Sequence, residues 1–74
     1  MTRPIYTIAR DINDHWPKPY FGAIPYLLAL SSLDTIEDQY GYDSARSVVL
    51  YFLSNATTWR GPDARRIKKE LNAL

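Results

Sequence analysis

The chain has 74 residues, of which 46% are hydrophobic, 14% aromatic and 23% charged, and its formal net charge is +1. This balance predicts one folded domain over residues 1–74 and excludes the polar, highly charged composition of disordered chains. The chain has no cysteine, which excludes disulfides, thiolate metal sites and a cysteine nucleophile.

The first predicted helix covers residues 4–15. Its apolar residues Ile5, Ile8 and Ile12 recur at the spacing of one helical face. Pro4 suits the first helical turn, where a missing N–H leaves no hydrogen bond unmade. The Trp16-Pro17-Lys18-Pro19 segment ends the helix, because each proline disfavours helical geometry in the residue before it.

The second predicted helix, residues 23–33, is apolar almost all round. One face carries Ile24, Leu27 and Leu28, and the other carries Ala23, Tyr26, Leu30 and Leu33. Helices of this kind are normally buried on both sides. We therefore expect a central helix, or one that completes an interface with a second subunit.

An acidic segment follows and is predicted to form a loop with an irregular turn. Four acids and no base occur from Asp34 to Asp43. A calcium-binding EF-hand loop beginning at Asp34 needs glycine and glutamate at positions six and twelve, where this chain has Gln39 and Ala45. A solvated loop is favoured, and a weak divalent-cation site formed by Asp34, Asp38 and Asp43 is the alternative.

The third predicted helix covers residues 43–58, with Asp43 or Ser44 as its N-cap. Its β-branched and aromatic middle is also compatible with a strand. The helical spacing that continues to Ala56 and Trp59 favours the helix.

The fourth predicted helix covers residues 62–73. Gly61, Pro62 and Asp63 provide a turn, a first-turn proline and an acid near the positive end of the helix dipole. A narrow apolar stripe consists of Ala64, Ile67, Leu71 and Leu74. On the opposite side we expect an ion pair between Arg66 and Glu70, four residues apart.

These elements predict an all-α fold, a compact bundle of about four short helices (4–15, 23–33, 43–58 and 62–73). No segment approaches the roughly 18 apolar residues of a membrane span, and the first residues lack the apolar run of a signal peptide. We therefore expect no membrane association and a cytoplasmic location.

The sequence contains few candidate residues for catalysis or metal binding. His15 is the single histidine and lies four residues after Asp11, where an ion pair or a helix-dipole interaction accounts for it. With no second histidine or cysteine to complete a site, we predict neither an enzyme nor a cofactor or metal.

The prediction for function is protein binding, with a host protein or a second copy as the partner. Tyrosine and tryptophan are frequent hot-spot residues at interfaces, and the chain is rich in both. The candidate protein-binding residues are Tyr40, Tyr42, Asp34, Glu37, Asp38 and Trp59.

The alternative prediction is a minimal helix-turn-helix-like DNA-binding protein. Helices three and four would form the motif, and the candidate nucleic-acid-binding residues are Arg60, Arg65, Arg66, Lys68 and Lys69. The basic face of the fourth helix carries no Asn, Gln or Ser to read base edges, so a solvated amphipathic helix is favoured over this alternative.

Several segments of the chain resemble short proteins encoded by bacteriophages of actinobacteria. They are residues 25–27, 40–44, 51–56 and 64–68, together with Thr58-Trp59-Arg60-Gly61, the most distinctive of them. The resemblance implies a phage or prophage gene acting in a bacterial cytoplasm, and it supplies no catalytic residues.

Overall fold

A computed structural model describes residues 2–74, which form four α-helices, one 3₁₀ turn and one β-hairpin. In chain order these are α1 (Ile5–His15), the 3₁₀ turn (Phe21–Ala23), α2 (Ile24–Leu30), β1 (Gln39–Tyr40), β2 (Asp43–Ser44), α3 (Ala45–Ser54) and α4 (Pro62–Asn72). The prediction of a compact, mostly helical fold with four helices is confirmed. The strictly all-α class is wrong, because the acidic loop contains a hairpin.

The hairpin is antiparallel, with Gln39 opposite Ser44 and Tyr40 opposite Asp43. Gly41 begins its two-residue turn with φ of +62°, and no other residue type between 2 and 74 has positive φ. A type II′ turn has this pattern, and its twist matches that of paired strands. Strands of two residues are too short for the apolar alternation that reveals a strand in sequence.

The four helices lie in the packing order α3, α2, α1, α4, with each in contact with the next. The core between them is made of apolar side chains from all four helices and of both tryptophans. Its members include Ile5, Ile8, Ile12, Trp16, Leu27, Leu30, Leu33, Val48, Phe52, Trp59, Ile67 and Leu71. Thus α1 and α2 are the two inner helices. Within residues 2–74, no helix has the length and apolar character needed to cross a membrane.

The start of α1 is capped by backbone carbonyls from a distant segment. The amides of Ile5 and Tyr6 donate to the carbonyls of Asp34 and Leu33, each at 2.8 Å, and the next two amides donate to the carbonyl of Pro4. The Ile5, Tyr6 and Thr7 amides, which have no partner four residues earlier within the helix, are therefore all hydrogen-bonded. This joins the acidic segment to the N-terminal end of α1.

The boundaries of α2 and α3 differ from those expected. The N-cap of α3 is Ser44, whose hydroxyl accepts a hydrogen bond from the Ser47 amide at 3.1 Å. However, α3 ends at Ser54 instead of residue 58, and α2 ends at Leu30 instead of residue 33. The residues beyond each end continue as tight turns, which keep their apolar side chains in the core without further helix.

Candidate protein-binding surface

A row of large apolar side chains lies exposed along the 3₁₀ turn and α2. Phe21 is 76% exposed, Ile24 42% and Leu28 65%. Their spacing of three and four residues places them on one side of the helix, opposite the buried Ala23 and Leu30. We call these three side chains (Phe21, Ile24 and Leu28) the α2 face.

The α2 face lies in a segment without any charge. From Pro19 to Leu33 the sequence contains no Asp, Glu, Lys or Arg. The exposed polar groups after the helix are Ser31 and Ser32, and the Ser31 hydroxyl donates back to the carbonyl of Leu27 at 3.1 Å. This surface is therefore apolar and lacks the charged residues that usually cover a solvated helix.

Local packing holds the beginning of the face in place. The ring of Tyr20 lies against Gly22, where an added Cβ would be 2.6 Å from that ring and 2.8 Å from Oδ1 of Asn55. The same ring contacts Phe21, with ring centroids 4.8 Å apart. Pro25 occupies the first turn of α2, where its ring restricts the backbone. The backbone that presents the face is thus constrained before any partner binds.

None of the three residues of the α2 face was among the candidate binding residues. The sequence predicted apolar residues all round this helix, and the structure shows that the protein's own core covers one side only. Leu27, expected to share a face with Ile24 and Leu28, is in the core with 5% exposure. In the sequence, the features that could have identified the α2 face are the long charge-free segment and the helical spacing of its apolar residues.

Trp59, an expected binding residue, is only 5% exposed. Its indole stacks on that of Trp16, with centroids 5.2 Å apart, and its Nε1 donates to the carbonyl of His15 at 3.3 Å. The expectation that Trp59 is a surface anchor does not fit this position, because its side chain is part of the core.

The two tyrosines of the hairpin are on the surface, as expected for binding residues. Tyr42 is fully exposed at the turn, and Tyr40 is 45% exposed. Asp34 and Glu37 are exposed near them. The hairpin is a different element from the 3₁₀ turn and α2 that carry the α2 face.

Asp38 holds the turn that precedes the hairpin. Its Oδ2 accepts from the amides of Asp34 at 2.9 Å and Thr35 at 3.2 Å, and its Oδ1 accepts from the Thr35 hydroxyl at 3.1 Å. These bonds, the one from Asp34 first, lower the pKa of Asp38. Both carboxylate oxygens accept hydrogen bonds within the loop, and among the described residues no three acids are placed to hold a cation.

Arg66 on α4 is bound to acids on two helices. Its guanidinium lies 2.9 Å from the carboxylate of Asp11 and 3.2 Å from that of Asp63. The expected pair between Arg66 and Glu70 is wrong, because Glu70 is instead bound by Arg3, at 2.6 and 2.9 Å. The neighbouring α1 and the N-terminal segment supply closer partners than the next turn of α4.

Lys68 is also engaged within the protein. Its Nζ donates to the carbonyl of Trp59 at 2.6 Å, and burial lowers its pKa.

The remaining candidate bases are exposed and form no side-chain hydrogen bond or ion pair with any part of the described chain; they are Arg60, Arg65 and Lys69. Three of the five bases are thus free for an outside ligand.

His15 takes part in an ion-pair network centred on Asp11. Its Nδ1 lies 2.9 Å from the Asp11 carboxylate, and its Nε2 lies 3.8 Å from that of Asp63. The hydrogen bonds from Arg66 and Arg3 lower the pKa of Asp11 to about 2. In residues 2–74, no three His, Asp or Glu side chains are placed to hold a metal ion.

A shallow hollow of about 320 Å³ lies between the N-terminal segment and the acidic loop, lined in part by Ile5, Ile36 and Leu74. Arg3 also lines it, but its guanidinium is bound to Glu70 and Asp11. Asp34 and Glu37 of the acidic loop and two threonines supply further polar groups to its lining.

No protein-family model, no curated protein and no solved structure matches this chain.

Proposed function

We propose that this protein is a small, non-enzymatic accessory protein that works by binding another protein chain through the α2 face. The observation that carries the proposal is the exposure of Phe21, Ile24 and Leu28 on one side of a charge-free helix. Their exposed fractions correspond to roughly 300 Å² of apolar side chain. The largest apolar patch on a typical monomer starts at about this size and is often functional.

The energetic reason is the hydrophobic effect. Apolar surface in water is unfavourable by about 25 cal/mol per Å² relative to burial, and the protein's own core leaves this surface uncovered. The packing of Tyr20 on Gly22 and the proline in α2 restrict the backbone beforehand. Binding therefore orders few additional groups and loses less entropy.

The proposal includes a phage or prophage origin, which rests on the resemblance of Thr58-Trp59-Arg60-Gly61 and its neighbouring segments to actinobacteriophage proteins. With that origin, the available partners are bacterial host proteins and other copies of this chain. The hairpin residues Tyr40 and Tyr42, exposed on another element of the fold, are a second region for such contacts.

The DNA-binding alternative has less support in the geometry. Arg66 and Lys68 are engaged internally, and α4 packs mainly against α1, whereas a helix-turn-helix pairs its recognition helix with the helix before it. Phosphate binding would depend on Arg60, Arg65 and Lys69. We expect no retardation of duplex DNA at low salt, where phosphate contacts are strongest.

The test is photo-cross-linking in the bacterial host with benzoylphenylalanine in place of Ser32, which is exposed one turn beyond Leu28. The control places the same group at Asn72, exposed at the end of α4. We expect a protein adduct at position 32 that is lost in the Leu28→Glu variant and retained in Leu50→Glu. Leu50 is 54% exposed on α3, so both changes place a glutamate at a surface leucine.

Absence of any protein adduct at position 32, under conditions that give normal expression, would contradict the proposed function. An adduct that survives Leu28→Glu would also contradict it, because binding would then not depend on the α2 face. Nuclease treatment before analysis separates protein contacts from complexes held together by nucleic acid.

A further inference from the structure

The three residues of the α2 face are arranged so that the face can pair with itself. Ile24 lies between Phe21 and Leu28, which are about two helical turns apart. In a twofold-symmetric interface each residue pair occurs twice, with the two partners exchanged. An antiparallel arrangement would place Phe21 against Leu28 of the partner subunit at both ends, with Ile24 near the axis.

The absence of charge around the α2 face also favours pairing with a second copy of the chain. A twofold axis brings like charges together wherever a charged segment lies near it, and such contacts are unfavourable. From Pro19 to Leu33 there is no charged residue. Two copies can therefore approach through this segment without bringing like charges together. A strongly charged partner, by contrast, would find no complementary group here.

The available area predicts a weak association. Two α2 faces together with their flanking residues, such as Tyr20 and Pro25, would bury on the order of 1,000 Å², below the range of standard stable interfaces. We therefore expect a reversible dimer whose population depends on concentration. Association also compensates for the small core of a domain without disulfides, because it buries apolar area that one copy leaves in water.

We propose that the partner on the α2 face is a second copy of this chain, in an antiparallel twofold dimer. This inference rests on the proposed function of the face and adds the identity of the partner. The dimer leaves both hairpins and both basic helices outside the charge-free segment that it buries.

Sedimentation equilibrium of the purified chain tests the proposal. We expect the average mass to rise from 8.6 kDa toward twice that value over a series from about 5 μM to 1 mM, a range suited to weak complexes. Leu28→Glu is expected to raise the dissociation constant at least tenfold, whereas Leu50→Glu leaves it unchanged. The thermal midpoint should rise with concentration in the wild type and Leu50→Glu only.

Circular dichroism establishes that the Leu28→Glu variant is folded, and Phe21→Ser at the 76% exposed position replaces it if it is not. A mass of 8.6 kDa at every concentration would overturn the dimer. If the cross-linker at position 32 then captures a different protein, the proposed function stands and only the identity of the partner is wrong. A mass that rises with concentration together with an adduct of two copies supports both, and a constant mass with no adduct overturns both.

Discussion

Trp16 and Trp59 stack with their ring planes 6° apart and their centroids 5.2 Å apart. The contact joins the residue that follows α1 to the segment between α3 and α4. Phe52 packs edge-on against Trp16, with centroids 6.2 Å apart, so the stack is continuous with the core. The two tryptophans thereby fix how the second half of the chain returns to the first helix.

Replacing Trp59 with alanine is expected to lower the free energy of unfolding by about 3–5 kcal/mol, as for other large buried aromatic residues. The loss includes the stack on Trp16 and the hydrogen bond from Nε1 to the carbonyl of His15. Trp59→Phe should cost less, because it keeps an aromatic ring. Urea unfolding followed by circular dichroism measures both, with Tyr42→Ala at the exposed hairpin turn as the control that should change little.

Asp11 is expected to make stability depend on acid pH. The hydrogen bond from Arg66, with the one from Arg3, lowers its folded-state pKa from 3.8 to about 2. The folded state therefore binds the proton more weakly than the unfolded state. The stabilisation is fully present above pH 3.8 and is lost as pH falls through about 2.

The matching variant is Asp11→Asn, which should lower the free energy of unfolding at neutral pH by about 1–2 kcal/mol. Urea midpoints between acid and neutral pH should depend less on pH in this variant. Asp14→Asn, which removes an acid from an exposed position on the same helix, is the control. Equal pH profiles for Asp11→Asn and the wild type would be inconsistent with this role.

His15 is expected to titrate above the ordinary histidine pKa of 6.5. The hydrogen bond to the carbonyl of Asp11 is the largest cause, and the negative charges of Asp63 and Asp11 add to it. Because protonation is favoured in the folded state, this contribution to stability is present below pH 6.5 and is lost as pH rises through the raised pKa. An NMR titration of the imidazole should show a lower pKa in Asp63→Asn, and no change in Asp43→Asn on the distant hairpin.

Two glycines should resist substitution for different reasons. Gly61 has φ of +111° directly before α4, and no atom would contact an added Cβ there. Gly61→Ala should therefore destabilise through backbone strain alone, by about 1–3 kcal/mol.

At Gly22 an added Cβ would meet Asn55 and the ring of Tyr20, so Gly22→Ala should destabilise through this steric contact. Combining Gly22→Ala with Tyr20→Ala should recover part of the lost stability. Thermal unfolding of the single and double variants measures these effects.

Local signals in the sequence predicted α1 and α4 closely. Pro4 and the later prolines bound α1, and Gly61 with Pro62 marks the start of α4, so each boundary follows from the backbone chemistry of nearby residues. The structure places these helices at Ile5–His15 and Pro62–Asn72, within one residue of the expected ends.

The ends of α2 and α3 depended on contacts that the sequence does not display. Leu33 is buried, but its carbonyl accepts from Tyr6 of α1 instead of continuing the helix. Trp59 has helical spacing after α3, yet reaches the core through a turn and stacks on Trp16. Apolar spacing reports that a residue is buried, and does not distinguish a helix from a turn that ends in the core.

The candidate surface was predictable only in part. The charge-free segment from Pro19 to Leu33 indicated that α2 has more apolar surface than a small domain needs. Which side remains exposed depends on how α1 and α3 pack against it, and this is a property of the whole fold. In the charge network, the pair of His15 with Asp11 was expected from their spacing, whereas the pairing of Arg66 with Asp11 of another helix was missed for the same reason.

The backbone cap on α1 has a consequence for the order of folding during synthesis. The amides of Ile5 and Tyr6 reach their acceptors only when Asp34 and Leu33 are in place. Helix α1 is therefore synthesised before its cap and has a frayed end, which closes after the chain has grown past Asp34. Amide exchange at Ile5 and Tyr6 consequently reports on their contact with a segment far along the chain.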